Sequence, residues 1–216
     1  MRILAFSDVH QRTQNLKALL EKAGKGFDAV IVAGDLTNYG EKSHAEEVLG
    51  LLAGNEKVFA IPGNLDTLQV IDAITENKMQ LHAKKAKIAG TAFVGFGGGK
   101  AFEVGGVLFT EEEIFGALEK LCKGEKSFVL VTHLPPAGTS LDLSASGNHI
   151  GSSAVRKIIE KFQPALQLCG HCHEAGGKTE KIGKTLCVNV AAVKEGQATS
   201  IELPKHGRPK IERITI

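Results

Sequence analysis

Short apolar runs recur along the chain, and a segment with polar side chains follows each of them. Such runs are typical of strands that are buried inside a sheet. They cover residues 3–6, 29–33, 58–61, 128–131 and 165–168. Between them, apolar residues recur at helical spacing, as in Leu16, Leu19, Leu20 and Ala23. This alternation of strand and helix predicts βαβ units.

Capping boxes are predicted at the starts of three helices. In this motif a short polar side chain and an acidic or amide side chain three residues later satisfy free N–H groups of the first turn. The matching pairs are Ser43 with Glu46, Asp66 with Gln69, and Thr110 with Glu113.

Two segments lack helical spacing. Residues 86–109 are rich in glycine, and residues 178–216 read as three or four strands with turns at Gly183, Gly196 and Gly207. Antiparallel hairpins are the expected result. For the whole chain we predict an α/β fold of two packed mixed β-sheets flanked by helices, with residues 1–216 as a single domain.

Composition limits the setting in which the protein works. A chain of 216 residues with 43% hydrophobic residues suits one α/β domain with a sizeable core. A net charge of +2 does not indicate nucleic acid or an anionic membrane as a partner. The first apolar run breaks at Ser7 and Asp8 and lacks the pattern of a signal peptide, so we expect a cytoplasmic protein.

Metal-liganding side chains follow each of the five apolar runs. The segments are Asp8-Val9-His10, Gly34-Asp35, Gly63-Asn64-Leu65-Asp66, Thr132-His133 and Gly170-His171-Cys172-His173. Residues two apart on an extended chain point to the same side, so Asp8 and His10 can reach one ion together. Open α/β sheets bind ligands at the carboxyl ends of their strands. Five such segments therefore predict a site with two metal ions, which is suited to hydrolysing phosphate esters.

The ordered motifs D-x-H, G-D, G-N-x-D, H and G-H-x-H resemble those of the calcineurin-like metallophosphoesterases, over residues 8–173. The resemblance implies a four-layer sandwich of two mixed sheets flanked by helices. The ligands that it implies for the first ion are Asp8, His10, Asp35 and His173. Those implied for the second ion are Asp35, Asn64, His133 and His171, with Asp35 bridging.

Charge favours phosphoester hydrolysis at such a site. Two divalent ions remain positive in sum after the charges of Asp8, Asp35 and a bridging hydroxide are subtracted, so the site attracts a phosphoryl oxygen. We predict hydrolysis of phosphodiesters, and also of phosphomonoesters, by attack of a metal-bridging hydroxide. Manganese is the expected metal, with Fe, Zn, Co or Ni as alternatives.

The chain departs from the family pattern at Leu65. Many relatives carry a histidine there that is thought to protonate the leaving group, which leucine cannot do. The following Asp66 is interpreted as the helix cap described above. A missing acid matters less for good leaving groups. The resemblance to relatives that lack this histidine also implies a preference for diesters over monoesters.

A candidate replacement lies at Gly147-Asn148-His149-Ile150-Gly151-Ser152, which resembles a G-x-H-x-G-S stretch in a small prokaryotic branch of that family. This stretch precedes a helix start, where phosphate binds well. We predict that His149 contacts the substrate phosphate or protonates the leaving group. The alternative is a surface histidine with no role. Outside the motifs, Asn38 lies close enough to Asp35 to touch substrate, whereas His44 and His82 are expected to be exposed.

The competing interpretation is a binding module that uses the same fold as a protein-interaction scaffold and has little activity. Such scaffolds usually lose metal ligands, whereas all seven positions here hold competent side chains. We therefore favour an enzyme that acts on a small phosphate ester, without a membrane or nucleic-acid partner. The sequence leaves the oligomeric state open.

Overall fold

The computed structural model describes residues 1–55, 57–101, 105–204 and 207–216. Strands and helices alternate along these residues. In chain order they are β1 (Arg2–Phe6), α1 (Thr13–Ala23), β2 (Ala29–Ala33), α2 (Lys42–Gly50), β3 (Val58–Ile61), α3 (Leu68–Glu76), β4 (Lys84–Ile88), β5 (Thr91–Phe96), β6 (Gly99–Lys100), β7 (Leu108–Phe109), α4 (Glu111–Cys122), β8 (Phe128–Thr132), α5 (Ser153–Phe162), β9 (Leu166–Cys169), β10 (Thr179–Ile182), β11 (Thr185–Asn189), β12 (Gln197–Glu202) and β13 (Lys210–Thr215). No helix within the described ranges has the length and apolarity needed to cross a bilayer.

Two mixed sheets form the centre of the fold. The first has the strand order β13-β12-β1-β2-β3, and the second has the order β10-β11-β9-β8-β5-β4. Within the first sheet, β1, β2 and β3 run parallel. Within the second, β5, β8, β9 and β11 run parallel. The strands of each parallel group therefore end at one edge of their sheet.

Apolar cores separate four layers. Ile3 and Ala5 of β1 face the core between the two sheets, together with residues such as Phe93 and Val131 from the second sheet. Leu4 and Phe6 face the opposite way, into the core that the first sheet shares with α1, α2 and α3. The outer face of the second sheet packs on α4 and α5. Both faces of the central strands are thus covered, which explains why their sequences are mostly apolar, with the buried Gln167 of β9 as an exception.

The predicted fold class is confirmed, and so are the β-rich segments at residues 86–109 and 178–216, of which residues 102–104 and 205–206 lie outside the described ranges. The capping box of Thr110 and Glu113 is confirmed by its two reciprocal hydrogen bonds.

The other two predicted capping boxes are wrong. Helix α2 begins at Lys42, and the backbone N–H of Glu41 donates to Nδ1 of His44. The N–H of Lys42 itself donates to Gln69 from α3, a tertiary contact that local spacing does not reveal. Helix α3 follows Thr67, so Asp66 is not its N-cap.

Candidate metal centre

The segments that follow β1, β2, β3, β8 and β9 meet at one site. Nε2 of His173 lies 3.0 Å from Oδ1 of Asp8, which joins the last segment to the first. The backbone N–H of His171 donates to Oδ2 of the same carboxylate. Oδ1 of Asn64 lies 2.9 Å from Nε2 of His133 and 3.0 Å from Nδ1 of His171. The structure therefore brings together side chains from both sheets, as the sequence predicts.

The position of the His10 ring is not explained by hydrogen bonds. Its Nε2 is buried and has no hydrogen-bond partner among the described residues. It faces Oδ1 of Asp8 at 3.7 Å and Oδ2 of Asp35 at 3.9 Å. These separations exceed a hydrogen bond but suit two ligands that each lie ~2.1 Å from one ion. The residues present therefore fit a cation.

Two triples of donor atoms have the spacing of metal ligands. Asp8, His10 and His173 offer atoms that all lie within 4.8 Å of one another, and the same is true of Asp8, Asp35 and His133. Oδ2 of Asp35 lies 3.5 Å from Nε2 of His133, so this carboxylate faces both His10 and His133. Nδ1 of His133 is 2.8 Å from the carbonyl of Ala33, which orients the ring toward the site.

The backbone at this site is held in an unusual conformation. Asp8, His10, Asp35 and His171 have φ values of 52°, 46°, 52° and 68°, in the left-handed region that costs free energy for residues other than glycine. Such conformations cluster at functional sites. Gly63 is required beside them, because a side chain at that position would overlap the carboxylate of Asp35.

The carboxylates and histidines of the site shift one another's pKa values. Burial raises the pKa of Asp8, but the hydrogen bond from His173 and the charge of His133 outweigh burial and hold that pKa well below its usual range. Burial lowers the pKa of His133, but the charge of Asp35 overrides it and raises the pKa to about 10. Burial lowers the pKa of His171 to about 4, and it also lowers that of His10. These two rings are therefore neutral at pH 7, which is the form that binds metal.

The calcineurin-like phosphoesterase family model matches residues 1–175, which include every segment of this site. The chain belongs to this family. It is 35% identical to the uncharacterized protein MJ1162 of Methanocaldococcus jannaschii over 195 residues, which cover 88% of this chain and 87% of that protein.

Two solved structures share the fold of this calcineurin-like phosphoesterase. TT1561 of Thermus thermophilus superposes with a TM-score of 0.78 at 21% identity, covering 99% of this chain and 98% of that one. A dimetal phosphatase from Danio rerio superposes with a TM-score of 0.66 at 12% identity, covering 100% and 98% of the two chains. Family membership and the clustered donor atoms together indicate a metal-dependent phosphoesterase.

Asp66 of this phosphoesterase braces the ligand loops. Its buried carboxylate accepts hydrogen bonds from the backbone N–H groups of Gly63, Leu36 and Thr37 and from the Thr37 hydroxyl. It thereby ties the Asn64 loop to the Asp35 loop. The capping interpretation failed because Thr37 and Leu36 lie 29 and 30 residues away in sequence, beyond any local motif.

A cleft of about 380 Å³ opens beside the metal centre of the phosphoesterase. Its lining residues are His10, Arg12, Asn38, Leu65, His173, Lys194 and Glu195. Leu65 presents an apolar side chain to this cleft, which Asn38 also lines. Sequence reasoning missed Arg12 and Lys194. Lys194 lies in the C-terminal β-rich part of the chain, outside every motif, so no local signal indicates its proximity to Asp8.

His149 lies in a loop that is organised by a different carboxylate. Nδ1 of its half-exposed ring is 2.7 Å from Oδ1 of Asp142, which is fully buried. Nζ of Lys100 donates to the carbonyls of Ile150 and Gly151 next to it. The loop also touches the ligand segment, since Sγ of Cys172 lies 3.2 Å from the carbonyl of Leu143. Among the described residues, the polar partner of the His149 ring is thus Asp142 rather than a metal-centre side chain.

His82 corrects another expectation. It is not exposed: its ring packs on those of Phe96 and Phe109, with centroids 4.9 and 5.7 Å away. Its Nδ1 accepts a hydrogen bond from the backbone N–H of Gly97. Burial lowers the pKa of His82 to about 4, so the ring is a neutral part of the packing.

Proposed function

We propose that this calcineurin-like phosphoesterase hydrolyses phosphodiesters at a centre of two divalent metal ions. The observation that carries the proposal is the buried, unpaired Nε2 of His10, which faces the carboxylates of Asp8 and Asp35. A buried polar atom without a partner costs free energy. A cation held between these side chains removes that cost, which is the arrangement we propose.

The proposed ligands fall into two sets that share Asp35. Asp8, His10, Asp35 and His173 hold the first ion, and Asp35, Asn64, His133 and His171 hold the second. Asp35 is the proposed bridge because its Oδ2 lies 3.9 Å from the ring nitrogen of His10 and 3.5 Å from that of His133, which belong to different sets. Imidazole, carboxylate and amide donors suit manganese, with Fe, Zn, Co or Ni as alternatives.

Two carboxylates among seven ligands leave the proposed centre with a positive charge. When bound, the ions supply charge that stabilises the phosphoryl transition state and lower the pKa of a coordinated water. The chain contributes orientation, because hydrogen bonds fix the Asp8 carboxylate and the His133 ring before substrate arrives. Leu65 supports the diester preference, since it brings no proton donor to the cleft wall.

His149 is the proposed contact for the substrate phosphate or the leaving group. The buried carboxylate of Asp142 holds Nδ1, so Nε2 is the ring atom left to face a substrate. This arrangement orients a half-exposed histidine, as a carboxylate does in other acid–base pairs.

Metal titration and turnover test the proposal together. Calorimetry of the metal-free protein with Mn²⁺ is expected to show two bound equivalents. The protein is then expected to cleave bis(4-nitrophenyl) phosphate with a kcat/KM at least equal to that for 4-nitrophenyl phosphate. A strong preference for the monoester contradicts the diester assignment, and a single equivalent contradicts the two-ion centre.

Asp35→Asn is the decisive variant. It is expected to lower turnover by at least ~1000-fold, because an amide offers one neutral oxygen and cannot bridge the two ions as the Asp35 carboxylate is proposed to do. Asp72→Asn is the matched control, since it removes the same charge from an exposed position on α3. Absence of turnover with Mn²⁺, Co²⁺, Ni²⁺, Zn²⁺ or Mg²⁺ in the unaltered protein favours the scaffold interpretation instead.

His149→Ala tests the loop histidine separately. We expect a loss of about tenfold or more in kcat for a diester with a poor leaving group and a smaller loss for the 4-nitrophenyl ester, because the latter needs less protonation. Unchanged kcat and KM on both substrates exclude a role for His149.

A further inference from the structure

Lys194 differs from the other lysines of the described residues. Only three of these lysines are not exposed: Lys42, Lys100 and Lys194. Lys42 pairs with Glu76, and Lys100 donates to two backbone carbonyls. Within the described ranges, the ammonium group of Lys194 has neither an ion pair nor a hydrogen bond. A half-buried cation without an anionic partner in a cleft is suited to bind an anion that the protein does not itself supply.

The backbone around Lys194 is fixed to the metal centre. Its N–H donates to the carbonyl of Asp8 at 3.1 Å, and the N–H of Val193 donates to the carbonyl of Ser7 at 2.9 Å. On the other side, Nδ2 of Asn15 donates to the carbonyls of Val193 and Lys194. The position of Lys194 relative to Asp8 is therefore set by hydrogen bonds on both sides of the turn.

Lys194 also lies where two clefts adjoin. The cleft beside the metal centre shares His173, Lys194 and Glu195 with a second cleft of about 490 Å³ that extends to Arg213. A substrate whose phosphate occupies the metal centre can extend past Lys194 into this second space. Glu195 lines the same wall, but it is exposed, so water and salt screen its charge more than that of the half-buried lysine.

We propose that Lys194 is a specificity residue that binds a second phosphate group of the substrate, adjacent to the phosphate at the metal centre. The inference rests on the proposed function for the position of the first phosphate. It identifies the substrate class as phosphate esters that carry a further phosphate, and it explains why a cleft with an apolar Leu65 also carries an unpaired cation.

Binding of adenosine mono- and diphosphate tests the proposal, because the two probes differ by one phosphate. Calorimetry is carried out in excess Mn²⁺, with the free metal concentration held constant. The unaltered protein is expected to bind the diphosphate about tenfold more tightly than the monophosphate. Lys194→Met is expected to reduce this advantage to less than about twofold while leaving the affinity for the monophosphate unchanged. Lys194→Arg is expected to retain most of it.

Lys126→Met is the matched control. Lys126 is exposed and precedes β8, at the end of that strand opposite the metal centre, so its removal is expected to leave both affinities unchanged. An equal loss of affinity for both probes in Lys194→Met overturns the proposal, because it means that the lysine contacts the first phosphate or supports the fold. An unchanged advantage overturns it as well.

Turnover of bis(4-nitrophenyl) phosphate separates this inference from the proposed function. That ester has no second phosphate, so its metal-dependent hydrolysis by the unaltered protein reports on the metal centre and not on the proposed subsite. If the unaltered protein shows no metal-dependent turnover but its diphosphate advantage depends on Lys194, the proposed function fails and the phosphate subsite stands. If the unaltered protein hydrolyses the ester but does not bind the diphosphate more tightly than the monophosphate, the proposed function stands and the phosphate subsite fails.

Discussion

Two buried aspartates organise two different loop regions of this molecule. Asp66 joins the loops that carry Asp35 and Asn64, and Asp142 organises the loop that carries His149. Both carboxylates are fully buried, and each accepts hydrogen bonds from three backbone N–H groups and one side chain, which is the Thr37 hydroxyl at Asp66 and the His149 ring at Asp142. The two carboxylates are therefore hydrogen-bonded in nearly the same way. Each of them, with its donors, is called a hub below.

The pKa values of the two carboxylates are shifted in opposite directions. Burial and the neighbouring charge of Asp35 raise the pKa of Asp66 to about 6, although its hydrogen bonds act the other way. Burial also raises the pKa of Asp142, but the hydrogen bond from His149 and those from the backbone outweigh burial and lower it below its ordinary value. The comparison teaches that three backbone donors alone do not fix the protonation of a buried acid. At Asp66 the charge of Asp35 adds to the effect of burial, whereas at Asp142 the hydrogen bonds of His149 and the backbone oppose burial.

Removing the Asp66 hub is expected to have the largest effect on stability. Asp66→Ala leaves the N–H groups of Gly63, Leu36 and Thr37 buried without an acceptor, so we expect a loss of about 3–5 kcal/mol in the free energy of unfolding. Urea denaturation in the presence of a chelator measures it without a contribution from metal. Asp72→Ala, at an exposed position of the same region, is expected to change stability by less than about 0.5 kcal/mol. A loss below about 1 kcal/mol for Asp66→Ala contradicts the role of a hub.

Removing the Asp142 hub is expected to cost less, about 2–3 kcal/mol. In Asp142→Ala three backbone N–H groups lose their acceptor, as in Asp66→Ala. The N–H of Gly138 is only partly buried, however, so water can replace the carboxylate there. The same denaturation series measures the difference between the two hubs. Equal losses show that the His149 loop excludes water as completely as the metal centre does.

His82 tests how burial alone changes the pKa of a side chain that has no charged partner among the described residues. Its pKa is lowered from 6.5 to about 4 by burial alone, so the unfolded chain binds a proton below pH 6.5 while the folded protein does not. Stability is therefore expected to fall by about 1–3 kcal/mol as the pH drops from about 6.5 to about 4. His82→Gln removes this component, and urea unfolding at pH 7 and pH 4.5 measures it. An identical pH dependence in both proteins refutes the assignment.

The smallest effect on stability is expected for His149→Ala. Half of this side chain is exposed, and the backbone donors of Asp142 remain in place, so the free energy of unfolding is expected to change by less than about 1 kcal/mol. A loss as large as that of Asp142→Ala means that the hydrogen bond between His149 and Asp142, rather than the backbone donors, holds the loop.

The local sequence predicted most of the fold and the residues that converge at the metal centre. An apolar strand followed by a liganding side chain is a local pattern, and parallel strands bring their carboxyl ends to one edge whatever the loops between them do. The Thr110 capping box is local in the same way. Asp66 shows the limit: its sequence matches a cap, yet its partners Leu36 and Thr37 belong to another loop.

What the sequence by itself determined is thus the succession of buried strands, the helices between them and the five polar segments at the strand ends, because each depends on residues that are neighbours in the chain. Only the tertiary structure decided that Asp66 braces the metal centre, that His82 packs between aromatic rings and that Lys194 lies beside Asp8. Each of these contacts joins segments that are far apart in sequence. Their free energy depends on burial and on nearby charge, which exist only after the sheets have packed.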